Sequence, residues 1–196
     1  MSDLIFPSIE PTLKVAIVGP AAQFMAEYLG LKSTELNESD VAIFLLSAVS
    51  GVDEKTKEMW DQARELYIPS LVLVTDLETS ETDFEDMAAI GGRLLDPLIN
   101  PFLVIYEDDG QAAALIDLDS LNLIDYSDGK RIVRDSDPEH KLLVFEFRKE
   151  YLDAIEEFGP NSFEAALTFP ALPIFVERNI GKYEVLEYLK KLPSRS

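Results

Sequence analysis

The chain has 196 residues, 47% of them hydrophobic and 10% aromatic, which is enough apolar side chain for one sizeable folded core. Its 37 acidic and 17 basic residues leave a net charge of -20, which repels a phosphate backbone and argues against direct nucleic-acid binding. With no cysteine and a single histidine, His140, it excludes disulfides, thiolate zinc sites, cysteine nucleophiles and multi-histidine metal sites.

The first residues, MSDLIFPSIEP, carry acids and prolines where a signal peptide needs a basic start and a long apolar run. The longest apolar run, Val41–Val49, is interrupted by Ser47 and is about half of the ~20 residues a membrane helix needs. A cytoplasmic protein without a membrane span is expected. Leu13–Gly19 (LKVAIVG) predicts a short buried strand that stops at a Gly-Pro pair, and a helix follows from Ala21 to Leu29. A strand, a glycine turn and a helix is where backbone N–H groups and a helix N-terminus can cradle phosphate. Counting G-x-x-x-x-G-K-[ST] from Gly19, however, lands on Phe24, Met25 and Ala26. A ring stands where backbone must approach the phosphates, a thioether where a cation neutralises them, and a methyl where a hydroxyl holds magnesium. Gly19 alone reads as a turn glycine.

Leu31–Asp40 is a polar connection (KSTELNES) too short to contain further strands. Val41–Leu46 predicts a buried strand, Ala48–Val52 a turn, and Glu54–Leu66 a helix with Met59, Ala63, Leu66 and Trp60 toward the core, ended by Pro69. Ser70–Thr75 is the next strand, running into Thr75-Asp76-Leu77-Glu78. Glu81–Leu95 has Phe84, Met87, Ala88 and Leu94 at helical spacing, and Pro101–Tyr106 predicts a short strand. Beyond the Glu107–Gly110 turn the pattern changes to shorter strands, Ala112–Leu118, Leu121–Tyr126 and Arg131–Val133. A long amphipathic helix, about Glu139–Phe158, follows, with Leu142, Leu143, Phe145, Phe147, Tyr151, Leu152 and Ile155 as its core face; His140 is a solvated residue near its start. Asp117, Asp119, Asp125 and Asp128 do not match the spacing of a calcium loop and read as solvated turns. Leu172–Val176 predicts a last strand, and Asn179-Ile180-Gly181 turns into a helix over Lys182–Lys191.

The order of these elements resembles the GTP-binding domain of elongation factor G. The resemblance rests on the Ala-Val-Ser-Gly-Val turn at Ala48–Val52, on the spacing from it to Thr75-Asp76-Leu77-Glu78 where that family has N-K-x-D, and on the closing helix with Leu192-Pro193-Ser194. It implies a P-loop NTPase-like α/β fold, a predominantly parallel sheet with helices on both faces, over residues 1–106 and 169–196. A small inserted α+β subdomain is implied over 107–168. The same resemblance implies that Gly19, Met25, Ala26, Thr75, Asp76 and Glu78 are vestigial nucleotide-site positions. Asp76 stands for the family's lysine, and Glu78 keeps an acid one methylene longer than the aspartate that reads guanine. Both switch segments and the D-x-x-G motif are missing between Leu31 and Asp40, and Ile174-Phe175-Val176 occupies the place of the family's G-S-A base contact.

A catalytically inactive pseudo-GTPase is therefore expected, with no metal and no cofactor, acting as a protein-binding or regulatory module. The alternative is a degenerate protein that binds a purine nucleotide without hydrolysing it. In the family the strands of the switch region lie beside the first strand, in the order second, third, first, fourth. Their deletion predicts that Leu13–Gly19 forms a sheet edge. That edge is expected to be covered by Leu4-Ile5-Phe6 of the segment Met1–Pro11, or by a strand from a partner or a second copy in a homodimer. The charge of -20 predicts a protein partner with a basic surface.

Overall fold

The computed structural model describes residues 5–193. Five strands form a wholly parallel sheet in the order β1-β2-β3-β9-β4: β1 Val15–Val18, β2 Val41–Ser47, β3 Ser70–Thr75, β9 Phe169–Pro173 and β4 Leu98–Ile99. Every residue of β1, β2, β3 and β9 is buried, as expected for strands covered on both faces. The covering helices are α1 Ala22–Leu29, α2 Glu54–Glu65, α3 Phe84–Leu94 and α6 Lys182–Lys190. Two of them start on acidic caps: the Asp53 carboxylate accepts from the Thr56 N–H at 2.7 Å and Asp83 from the Asp86 N–H at 2.8 Å. Trp60 of α2, 1% exposed, packs edge-on against Phe44 of β2 and Phe169 of β9, and its indole donates to Asp96 at 2.8 Å.

A second sheet is antiparallel, in the order β5-β6-β7-β8: β5 Phe102–Tyr106, β6 Ala112–Asp117, β7 Asn122–Asp125 and β8 Ile132–Asp135. Beyond it lie α4 Pro138–Leu143 and α5 Phe145–Phe158. One face of this sheet, with Phe102, Val104, Leu115, Ile124 and Tyr126, belongs to the same buried cluster as the parallel sheet. The other face, with Leu103, Ile116 and Leu123, forms a smaller cluster around Val144.

Four expectations need correction. β5 pairs with β6 from Phe102↔Asp117 onward, so the antiparallel unit starts at 102 instead of 107, because the acidic turn at Glu107–Gly110 is a hairpin within one sheet and not a boundary. The last strand is β9 at Phe169–Pro173, not Leu172–Val176: Ala171 opposite Val72 and Phe169 opposite Leu98 set its register, while Phe175 bridges Ile180 in the following turn. The long helix breaks at Val144, which is fully buried, and none of the residues of α4 or α5 is buried; Leu142, Leu143 and Phe145 are 80%, 68% and 60% exposed.

The fourth correction concerns the sheet edge. β1 is at the edge, but Leu4 lies outside the described residues, Ile5 is exposed, and Phe6 packs under the Lys182 ammonium, 4.6 Å from its ring centre. The residues that close the edge are Ser33 and Thr34. The Thr34 N–H donates to the Val15 carbonyl at 2.9 Å and the Ile17 N–H donates to the Ser33 hydroxyl at 3.1 Å. The short connection after α1 thus meets both outward-facing positions of β1.

Candidate functional site

In a parallel sheet the loops leaving the carboxyl ends of the strands form the usual ligand crevice. Here the loops after β1, β3 and β9 enclose a cavity of about 280 Å³ lined by Pro20, Ala21, Phe24, Met25, Thr75, Asp76, Glu78, Thr79, Val176 and Glu177. Met25, Thr75, Asp76 and Glu78, proposed from the sequence alone, thus meet at one place. Gly19 lies just outside, in a second cavity of about 290 Å³ with Asp53, Lys55 and Thr56, and Ala26 turns into the core at 7% exposure.

Gly19 has φ +124°, and a Cβ there would stand 2.7 Å from the Leu45 carbonyl oxygen, so the glycine is required by the approach of this turn to β2. Ala21 then enters α1 in the left-handed region, φ 56°, with no side-chain cap. Met25 is 2% exposed, its thioether held in the core beneath the loop. Asp76, also left-handed at φ 59°, turns its carboxylate back to accept from the Thr75 hydroxyl at 3.3 Å. Glu78 and Glu177 are exposed at the rim. Three carboxylates and no cation line the cavity. They do not converge: among the described residues no three His, Asp or Glu side chains come together to hold a metal ion.

Two of the nearby cations, Arg178 and Lys182, are engaged elsewhere, while Lys55 lines the adjoining cavity with Gly19. Arg178 donates to the Ala112 carbonyl and the Gln111 side chain of the antiparallel sheet. Lys182 donates to the Tyr28 carbonyl and sits over the rings of Phe6 and Tyr28, where burial lowers its pKa. Burial raises the pKa of the Tyr28 phenol, with the charges of Glu78 and Glu184 adding to the effect.

Sequence reasoning missed a buried ionic cluster around Glu184. Glu184 of α6, 2% exposed, accepts from the Tyr126 hydroxyl at 2.8 Å and from Arg131 Nε at 3.0 Å, and the Arg131 guanidinium lies over the Tyr183 ring at 3.8 Å. Burial and the Glu184 charge raise the pKa of Tyr126; burial opposes the charge on Arg131, but Glu184 overrides it and raises that pKa too. The cluster fastens α6 to the antiparallel sheet. Its members lie at residues 126, 131 and 184, and no spacing in the sequence connects them.

No family model matches the chain. An elongation factor G-like protein of Mycobacterium tuberculosis, in strains CDC 1551 / Oshkosh and ATCC 25618 / H37Rv, is 26% identical over 191 residues, covering 83% of this chain and 25% of that protein. The chain is homologous to part of an elongation factor G-like protein. It spans about a quarter of the length of the curated relatives it matches. A crystal structure of a Thermus thermophilus protein agrees, with a TM-score of 0.70 and 27% identity over 87% of this chain and 28% of that one. The fold is thus a P-loop NTPase-like α/β arrangement carrying a small antiparallel unit, with the cavity lined by Met25, Thr75, Asp76 and Glu78 at the carboxyl ends of β1, β3 and β9. No helix among the described residues is long and apolar enough to cross a membrane.

Proposed function

We propose that the chain is a catalytically inactive elongation-factor-G-like GTP-binding domain that works as a protein-binding or regulatory module. The observation that carries this reading is the lining of the crevice, where Asp76, Glu78 and Glu177 are present and Lys, Arg and His are not. A phosphate oxygen brought to about 4 Å from one carboxylate is repelled by roughly 4 kcal/mol at an effective dielectric constant of ~20, and nothing in the lining offsets that. Phosphoryl transfer relies on a cation, a metal-holding hydroxyl and a positioned water. Met25 and Ala26 stand where the first two would be, both buried, and the ten residues from Leu31 to Asp40 replace the switch segments that would hold the third.

What remains is an acidic α/β scaffold, suited to receiving a protein with a basic surface whose association slows as salt rises. The test is a thermal-shift scan with GTP, GDP and ATP, each with magnesium. The expected result is no change in Tm. A nucleotide present at 100 times its Kd would add about 2.7 kcal/mol, and such a rise would replace this reading with that of a nucleotide binder. A Met25→Lys/Ala26→Thr double variant is expected to remain without GTP turnover, because it repairs the loop alone.

A further inference from the structure

Three strand edges in the molecule invite comparison. On β1 the outward groups of Val15 and Ile17 are closed by Thr34 and Ser33. On β5 the outward Val104 N–H donates to the Glu85 carboxylate at 3.2 Å. On β8 the register is fixed by the Ser136 N–H donating to the Leu121 carbonyl, which makes 123/134 and 125/132 the hydrogen-bonded pairs with β7. The N–H and C=O groups of Arg131, Val133 and Asp135 therefore point away from the sheet, and no described residue meets them. All four residues of β8 are exposed, including Ile132 at 47% and Val133 at 49%.

We infer that β8 is the contact of a homodimer, in which two copies pair antiparallel about Val133 to make one continuous eight-stranded sheet. The strand is complementary to itself in that register. Val133 faces its own copy, Ile132 faces Arg134, and Arg131 faces Asp135, with Val133 and the Arg131/Asp135 pair as the hydrogen-bonded positions that the outward groups require. Arg131 gives its Nε to Glu184, so the rest of the guanidinium is available to the Asp135 carboxylate of the second copy.

The same two-fold accounts for the apolar side chains left outside. Leu123, opposite Arg134, packs with Val144, so Ile132 and Arg134 share the sheet face that the α4–α5 segment covers. Extending the sheet across β8 brings a second α4–α5 segment onto that face. Leu142, Leu143 and Phe145, which the sequence pattern assigns to a core, then have one. Charge chooses the place as well. Two chains of -20 repel, and the stretch 130–134 (KRIVR) holds three of the 17 cations, with Arg134 matched by its own Asp125 at 2.7 Å. Contact there sets the one acid of β8, Asp135, against the second copy's Arg131, and the remaining long-range repulsion is screened by salt, so the dimer strengthens as salt rises, the reverse of a contact with a basic partner.

The experiment is sedimentation equilibrium on the full chain across concentration, at low salt and at about 0.5 M salt, where the Debye length falls well below 10 Å. The expected result is a mass that climbs from 22.0 kDa toward twice that value, at lower protein concentration in high salt. Val133→Pro removes an N–H that β7 does not use, and Leu143→Glu changes a residue 68% exposed; both variants are expected to stay at 22.0 kDa with the parent's circular dichroism and Tm. A mass of 22.0 kDa for the parent chain at every concentration and salt would overturn the proposal. So would a dimer that both variants leave intact, or one that weakens with salt. None of these outcomes bears on nucleotide binding, so this inference and the inactive-GTPase reading stand or fall separately.

Discussion

β2 and the α4–α5 segment are both rich in large apolar side chains, yet every residue of β2 is buried and none in either helix is. The difference lies in what surrounds them. β2 has strands on both sides and helices over both faces, whereas α4 and α5 lie outermost in the fold and cover the antiparallel sheet chiefly through Val144 at their junction. Apolar content expresses a demand for burial. Whether one chain alone meets that demand depends on how many layers lie beyond it.

The sharpest way to break this comparison is a pair of truncations. Trp60→Ala removes a side chain 1% exposed that bridges β2 and β9, and it is expected to cost about 4 kcal/mol in urea unfolding; Phe147→Ala, at a residue 44% exposed, is expected to cost less than ~1 kcal/mol. Similar losses for the two would mean that α5 is as much core as α2. Next in size is the fastening between the regions. Glu184→Ala leaves Tyr126 and Arg131 buried without their shared acceptor and is expected to cost about 3 kcal/mol. A double-mutant cycle with Arg131→Ala should show strong coupling, and additive losses would deny the pair its role.

The smallest effect is expected where α3 meets β5. Burial raises the pKa of Glu85, with Asp83 and Asp86 adding repulsion, although its bond from the Val104 N–H works the other way. A carboxyl with a raised folded-state pKa favours the fold most below its unfolded value, and that contribution is lost as pH rises through the folded one. Glu85→Gln keeps an acceptor for Val104 and removes the charge. Its Tm is expected to exceed the parent's slightly at pH 7 and to match it at pH 3; a variant less stable at pH 7 would mean that the charge itself anchors β5.

The parallel half was legible because its signals are local. Val41–Leu46 is an unbroken apolar run, Gly19 closes β1, and Pro69 follows the end of α2. Met25, Asp76 and Glu78 follow strands and Thr75 ends one, and a parallel sheet brings all such ends together, which is why these four line one cavity. Glu177 lines the cavity too but follows a strand whose register the sequence does not determine, since the apolar character runs on through both Phe169–Pro173 and Leu172–Val176. The edge caps from Ser33 and Glu85 and the Glu184 cluster escaped because polar side chains at these positions look like surface until the fold supplies their partners.

The place of β9 has a consequence for how the protein is made. It is the last of the described strands in sequence, yet it lies between β3 and β4, and among the described residues β4 has no other strand partner. Until residue 173 has emerged, a nascent chain holds β3 with one side open and β4 with nothing to join. The sheet must therefore close by inserting its newest strand between two older ones, a long-range step that follows everything local. A chain ending before Phe169 would leave the edge of β3 that faces β9 open to its neighbours, and aggregation is the outcome expected of it.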